Sequence, residues 1–452
     1  LSIFKAYDIR GIYGPEMDEA VGQQIGRAFV RVLAGLRGKQ PDELRVGLGR
    51  DMRLTAPAMA ASLRRGMIEE GAHVIDAGEV ATEMLYFLVG SRDLDGGAMC
   101  TASHNPKAYT GVKLVREGAL ALSGDAGIRD IENLIEAGLG EAPGGGSYEE
   151  VDLWDEYRSV AISAVDRSAI RPLKIVVDGG NGMAGPMVGP ILKELGMDLV
   201  ELYFVPDGNF PDHEPNPLLE ENRRLIVETV ISEKADLGIA WDGDADRCFF
   251  IDGAGRFCDG DFICALLARI ALEAEPGATI LFDPRSSRAV PDVVAAAGGR
   301  SKLSRVGHAF FKKRMREENA AFGGEVSGHY YFRDFYCADS GTIPALWILQ
   351  LLGKDERNLT SLIDEFHSKY FISGEINSEV PDPAAKIAQI EALHRDAEIS
   401  HLDGVSIDYP DWHFNVRPSN TEPLLRLNLE SLVSREDMQQ KRDELLEVIR
   451  NG

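Results

Sequence analysis

Leu173-Lys-Ile-Val-Val-Asp178, followed by Gly179-Gly-Asn-Gly182, is the stretch that decides the fold. An apolar, β-branched run ends on an aspartate, and a glycine-rich loop follows. Met187–Leu195 then reads as a helix, Gly196 as its stop, and Asp198–Tyr203 as the next strand. The order recurs on both sides. Leu44-Arg-Val-Gly-Leu-Gly-Arg-Asp51 leads to a helical pattern over Ala58–Glu70, Gly71 and the strand-like His73–Ile75. Ala278-Thr-Ile-Leu-Phe-Asp283 leads through Pro284-Arg-Ser-Ser287 to a helical Val290–Ala297, Gly298-Gly299 and a short strand. Strands alternating with helices imply parallel sheets with right-handed crossovers, and ligands beyond the carboxyl ends of the strands. Copies starting at residues 44, 173 and 278 lie too far apart for a solenoid and suit three α/β domains of similar design.

Composition narrows the function. The 452 residues fit about three domains. The net charge of −25 disfavours nucleic-acid backbones and anionic membranes, so neither is expected as a partner. The most apolar stretches, Phe262–Leu272 and Thr342–Leu352, are too short to span a bilayer. The opening Leu1-Ser2-Ile3-Phe4-Lys5 has no secretory pattern and no initiator Met, so a few residues are expected to be missing. Five cysteines without a Cys-x-x-Cys pair suit reduced thiols, and a cytoplasmic location is expected. Ala142-Pro-Gly-Gly-Gly-Ser147 reads as a linker. The expected domains are 1–147, 148–250, 251–364 and 365–452, the last a smaller α+β unit closed by an amphipathic helix over Ser434–Arg450.

Four loops carry chemistry. Thr101-Ala-Ser-His-Asn-Pro106 offers Ser103 after the strand-like Gly96–Cys100; it is either an ordinary turn or a nucleophile loop. A Ser-His-Asp hydrolase fits poorly, because His104 adjoins Ser103 and no Gly-x-Ser-x-Gly elbow exists. Trp241-Asp-Gly-Asp-Ala-Asp-Arg247 places Asp242, Asp244 and Asp246 at alternate positions, able to converge on a hard cation, Mg²⁺ or Ca²⁺; the alternative is a solvated acidic turn. Gly323-Gly-Glu-Val-Ser-Gly-His329 is a tight turn or a site where Glu325 and Ser327 bind hydroxyls. Arg417-Pro-Ser-Asn-Thr-Glu-Pro423 holds the donors for a phosphate, Arg417, Ser419, Asn420 and Thr421, or is a polar hairpin.

Together, one per domain and in this order, the loops are far more specific. The chain resembles the α-D-phosphohexomutase family over essentially its full length, nearest its phosphomannomutase/phosphoglucomutase branch. Phe4-Lys-Ala-Tyr-Asp-Ile-Arg-Gly11, Tyr109-Thr-Gly-Val-Lys113 and Gly307-His308 are further family-like segments. The resemblance implies three related mixed-sheet α/β domains and a smaller C-terminal α+β domain around a central cleft.

It also implies phosphate transfer between C1 and C6 of a hexose phosphate. Ser103 would be the phosphoserine, with hexose 1,6-bisphosphate as intermediate and activator. Asp242, Asp244, Asp246 and Ser103 would hold Mg²⁺. Three carboxylates and a phosphate sum to about −5, and Mg²⁺ leaves about −3. Arg10, Lys113, Arg247, Arg285, His308 and Arg417 are the cations expected to offset it. Lys113, with a pKa lowered to about 7–8, is expected to carry protons, with His308 as a second carrier. Arg10 and Tyr7 would meet the transferring phosphate. His104, Gly307, His329, Glu325 and Ser327 would line the sugar, and Arg417, Ser419, Asn420 and Thr421 would grip the other phosphate. Arg285 stands where this branch often carries Lys, which puts proton transfer there in doubt. The alternatives are a phosphoglucosamine mutase, a metal phosphatase, and a sugar-phosphate-binding protein without turnover. A monomer or weak homodimer is expected.

Overall fold

The three strand-terminal aspartates make the same local bond. Asp51 Oδ1 accepts from the Arg53 N–H at 3.0 Å, Asp178 Oδ1 from Gly180 at 2.8 Å and Asp283 Oδ1 from Arg285 at 2.8 Å. Each is an Asx-turn, in which the side chain bonds the backbone two residues on and bends the chain out of the strand. The repeat visible in the sequence is therefore a repeated turn. The computed structural model describes residues 3–418 and 424–451, apart from the Asp125 side chain. They fall into two compact units: residues 3–257, 307–319 and 327–356, and residues 258–306, 320–326 and the remainder from 357.

In the first unit, six strands form one sheet: β1 (Ile9–Ile12), β2 (Arg45–Arg50), β3 (His73–Glu79), β4 (Gly96–Cys100), β5 (Tyr109–Arg116) and β6 (Ser147–Glu150), in the order β1-β5-β4-β2-β3-β6. The β2 strand pairs in parallel with β3 and β4, whereas β5 runs antiparallel to β4 and β1. A second sheet places β7 (Lys174–Asp178) in parallel between β8 (Asp198–Leu202) and β9 (Leu237–Trp241), with β10 (Cys248–Asp252) antiparallel to β9. Both sheets are thus mixed, where strand–helix alternation alone implies parallel ones. The antiparallel strands enter by direct return: β4 to β5 through the serine loop, β9 to β10 through the acidic loop.

Helices cover these sheets. The Glu19–Arg37 helix crosses Ala56–Glu69 at close range. A Cβ on Gly66 would lie 2.1 Å from the Gln23 carbonyl oxygen, and one on Gly26 would lie 2.3 Å from that of Leu63. Only glycine permits this approach, which buries Ile25, Phe29, Met59 and Leu63 in one core.

In the second unit, Thr279–Phe282 pairs in parallel with Arg300–Leu303 and Phe322–Gly324. A separate antiparallel sheet runs through Glu398–Ser400, Val405–Asp408, Trp412–Pro418, Leu424–Ser431 and Phe371–Ile372. The amphipathic Arg435–Arg450 helix packs Met438, Leu445 and Ile449 into that sheet's core. Among the described residues no helix is long and apolar enough to cross a membrane, and no disulfide joins the buried cysteines.

Candidate active site

Ser103 follows β4 with φ of +50°, in the left-handed region that L-residues seldom adopt. Arg53, 2% exposed, holds it there: Nη2 donates to the carbonyls of Ser103 (2.7 Å) and Asn105 (2.6 Å), and Nη1 to those of Pro106 (3.1 Å) and Tyr109 (3.3 Å). The Ser103 hydroxyl donates to Asp242 Oδ2 at 2.8 Å. Arg247 Nε donates to the same oxygen at 2.8 Å, and its Nη2 reaches Ser103 Oγ at 3.4 Å and His104 Nδ1.

Asp242, Asp244 and Asp246 lie in the loop after β9, all buried, each offering a ligand oxygen within 4.8 Å of the others'. Lys113, on β5, donates to Asp244 Oδ2 at 2.6 Å and to Asp246 Oδ2. Burial lifts the Asp246 carboxyl well above its ordinary range, and the Asp244 charge adds to this. Burial also lifts Asp242, against Arg247. Asp244 is held low, because Lys113 outweighs the effect of burial. Asp244 Oδ1 and Asp246 Oδ1 are buried and find no hydrogen-bond partner among the described residues. Unpartnered buried carboxylate oxygens in an all-oxygen set fit a hard cation such as Mg²⁺.

Lys113 departs from its expected state. Burial alone would lower its pKa, but Asp244, Asp246 and Asp242 outweigh it and hold it above the ordinary lysine value. This carboxylate setting favours the Lys113 ammonium, opposite to the lowered pKa expected of a proton carrier. His308 has the opposite setting. Burial, then Lys312, lowers it to about 4, and Nδ1 is buried without a hydrogen bond among the described residues. Its ring meets Tyr7 edge-on at 5.8 Å, and Gly307, with φ of +119°, leaves the room Tyr7 needs. Burial and then Arg247 also keep His104 and His329 neutral. His329 Nε2 lies 3.7 Å from Asp246 Oδ1, and its Nδ1 lies 3.3 Å from Ser327 Oγ. Arg10 pairs with Asp8 and donates to Asn105 Oδ1 of the serine loop.

The second unit holds a different constellation. Arg285 grips Asp283 through two hydrogen bonds, Nε to Oδ1 at 2.9 Å and Nη2 to Oδ2 at 2.8 Å. Burial opposes its charge, but Asp283 and Glu325 hold its pKa above the ordinary arginine value, so it moves no protons. Glu325 lies 3.7 Å from Arg285. Arg285, Arg417 and Arg426 converge on Glu375 at 3.7, 3.4 and 3.2 Å. Three guanidinium groups thus meet at one carboxylate, and the charge of Arg285 is also shared with Asp283 and Glu325. Ser419, Asn420 and Thr421 lie outside the described residues.

Family models of the phosphoglucomutase/phosphomannomutase alpha/beta/alpha domains I, II and III match residues 1–140, 155–255 and 259–370, and the model of the C-terminal domain matches 375–448. The chain belongs to the phosphoglucomutase/phosphomannomutase family. It is an enzyme of the isomerase class, with three α/β domains and a C-terminal domain. It is 45% identical over 442 residues to a phosphomannomutase of Salmonella typhimurium, covering 95% of each chain. Its identity to a phosphomannomutase of Escherichia coli K12 is 44% over 442 residues, again covering 95% of each. A solved phosphoglucomutase/phosphomannomutase family protein from Burkholderia thailandensis superposes with a TM-score of 0.90 at 33% identity, covering 100% of this chain and 98% of that one.

Several residues of these two constellations escape a reading of the motifs. Arg53 is one, although a signal existed: it stands two residues after Asp51 as Arg285 stands two after Asp283. Glu375 and Arg426 lie far in sequence from Arg285, and no pattern links them. Lys312, fully buried, pairs with Asp339 at 2.6 Å and lies 3.5 Å from the centre of the Tyr86 ring. Nothing in an ordinary helix pattern marks it.

Proposed function

We propose that the chain reversibly transfers phosphate between C1 and C6 of a hexose phosphate, mannose and/or glucose, through a phosphoserine at Ser103 and a hexose 1,6-bisphosphate. The single observation that carries this reading is the Ser103 hydroxyl, 2.8 Å from an aspartate of a buried carboxylate triad. A buried serine beside such a triad and two cations has the parts for phosphoryl transfer, which is mostly positioning and charge stabilisation.

In this reading, Asp242, Asp244, Asp246 and Ser103 would hold Mg²⁺, which supplies neutralisation of the phosphoryl oxygens when bound. The phosphoserine P–O bond breaks as the sugar hydroxyl oxygen bonds to phosphorus. The hydroxyl proton goes to a neutral acceptor, in this reading His308, whose pKa of about 4 makes it a weak base. Lys113 and Arg247 stay charged and stabilise the transferring group. The Ser103 oxygen, left as an alkoxide beside those cations, bonds to the other phosphorus once the bisphosphate turns over; that sugar P–O bond breaks, and the released sugar oxygen takes the proton back from the acceptor. Arg285, Arg417 and Arg426 supply the charge for the phosphate not in transfer. Glu325 and Ser327 bind sugar hydroxyls.

The test is a set of initial rates with mannose 1-phosphate, glucose 1-phosphate and glucosamine 1-phosphate, each with Mg²⁺ and a trace of the matching 1,6-bisphosphate. The 6-phosphate product and free phosphate are both scored. Comparable mannose and glucose rates support the proposal. A strong glucosamine preference moves the substrate to the amino sugar. Free phosphate without 6-phosphate replaces the mutase with a hydrolase, and no product refutes turnover.

A further inference from the structure

Asp244 is held from outside its own loop. Thr82 opens the Thr82–Ser91 helix and is fully buried. Its backbone N–H donates to the Asp244 carbonyl at 3.1 Å, and its hydroxyl donates to Asp244 Oδ2. The hydroxyl does not cap its own helix, whose N-cap is Ala81. The next residue anchors the same turn from the other side, because Thr342 Oγ1 donates to the buried Glu83 Oε1.

We infer that Thr82 is a positioning residue for the divalent cation: with Lys113 it fixes Asp244 Oδ2, so that Asp244 Oδ1 is the oxygen presented to the metal. This rests on the metal reading given above. The two oxygens of Asp244 are in different states. Oδ2 accepts from Thr82 and from Lys113 at 2.6 Å, whereas Oδ1 is buried and accepts from none of the described residues. A carboxylate bonded at one oxygen has its rotation about χ2 removed before any ligand arrives. The paired backbone bond sets the depth of the acidic loop against the helix start. Without the hydroxyl, Asp244 must be ordered by the cation, and affinity falls. Groups that bond metal ligands from behind typically contribute 10–100-fold in metal affinity.

The experiment is calorimetric titration of Mg²⁺ into the metal-stripped full-length chain, alongside the rise in melting temperature that Mg²⁺ produces. Wild type is compared with T82V, T82S, T82A and D244N. T82V is expected to bind Mg²⁺ roughly 10–100-fold more weakly, with T82S close to wild type. The activity curve shifts to higher Mg²⁺, while KM for the hexose phosphate at saturating Mg²⁺ is unmoved. T82S and T82A both lack the methyl and differ only in the hydroxyl. They carry the same comparison if T82V does not fold. Equal Mg²⁺ affinity in T82A and T82S, or in T82V and wild type, overturns the inference. A wild type that does not bind Mg²⁺, or that D244N matches, refutes the metal reading itself.

Discussion

Lys312 and Asp339 offer the sharpest test of how the first unit is held together. Both side chains are buried, at 0% and 1% exposure, with Nζ 2.6 Å from Oδ1. Burial alone would lift the Asp339 carboxyl, but the Lys312 ammonium holds it down. Removing one member leaves an unpaired charge out of water, which costs about 3–5 kcal/mol. Removing both leaves no charge and costs far less. Lys312→Met keeps the length of the stem against Tyr86, and Asp339→Asn keeps the shape of the carboxylate. Each alone is expected to lower stability by about 3–5 kcal/mol, and the double variant to recover most of the loss. The assay is urea unfolding of the four proteins, followed by fluorescence that includes the fully buried Trp241 of the same unit. The pH dependence carries a sign. In the wild type the depressed Asp339 gives stability that is present at neutral pH and lost on acidification. In Lys312→Met the carboxyl rises with burial, so that variant loses stability as pH increases. A double variant as unstable as the sum of the singles refutes the argument, and so does a Lys312→Met loss under about 1 kcal/mol.

Ser103→Ala should lower turnover by roughly 10⁴- to 10⁶-fold while equilibrium binding of hexose phosphate survives; near-normal rates would remove the phosphoserine. Burial pushes the Glu83 carboxyl up to about 7, against hydrogen bonds from Ser340, Thr342 and Tyr157. Its stabilising protonated form is therefore lost as pH rises through 7, a penalty of up to about 3 kcal/mol by linkage. Glu83→Gln should flatten the melting temperature between pH 5 and 8, and an unchanged slope would show that Glu83 does not set it. Gly26→Ala drives a methyl to 2.3 Å from the Leu63 carbonyl oxygen and should cost about 1–3 kcal/mol in urea unfolding; wild-type stability would mean that the helix pair can separate freely.

What could be read from the sequence was local. The strand, aspartate, turn and helix of each repeat lie within a few dozen residues. The Asx-turns of Asp51, Asp178 and Asp283 show why that aspartate recurs. The alternate acids of the metal-type loop were equally plain, since spacing alone brings Asp242, Asp244 and Asp246 together. The antiparallel β5 and β10 were not, because a strand's direction depends on where its neighbour lies rather than on its own residues. Helix 184–194 begins three residues before its expected start, where Ala184-Gly-Pro186 lacks an apolar period. The charge state of Lys113 could not be read at all: lysine beside Ser103 suggested a proton carrier, but its carboxylate partners lie more than 130 residues away. Arg53 was hidden because it bonds carbonyl groups, which every residue has. The Arg285, Arg417 and Arg426 cluster assembles only when two sheets' worth of chain has folded.

The positive φ of Ser103 has a consequence for the choice of hydroxyl. Serine and threonine carry the same functional group, and on chemical grounds either can accept a phosphate. At +50° the backbone disfavours a β-branched side chain, whose second substituent crowds the following peptide. Threonine at 103 would have to relax the torsion, moving its oxygen away from Asp242, or keep the torsion under strain. If Ser103 carries the phosphate as proposed, the choice of hydroxyl at this position is dictated by conformation before reactivity is considered. Arg53, by enforcing that conformation through four carbonyl groups, acts as the selector between two chemically equivalent alcohols.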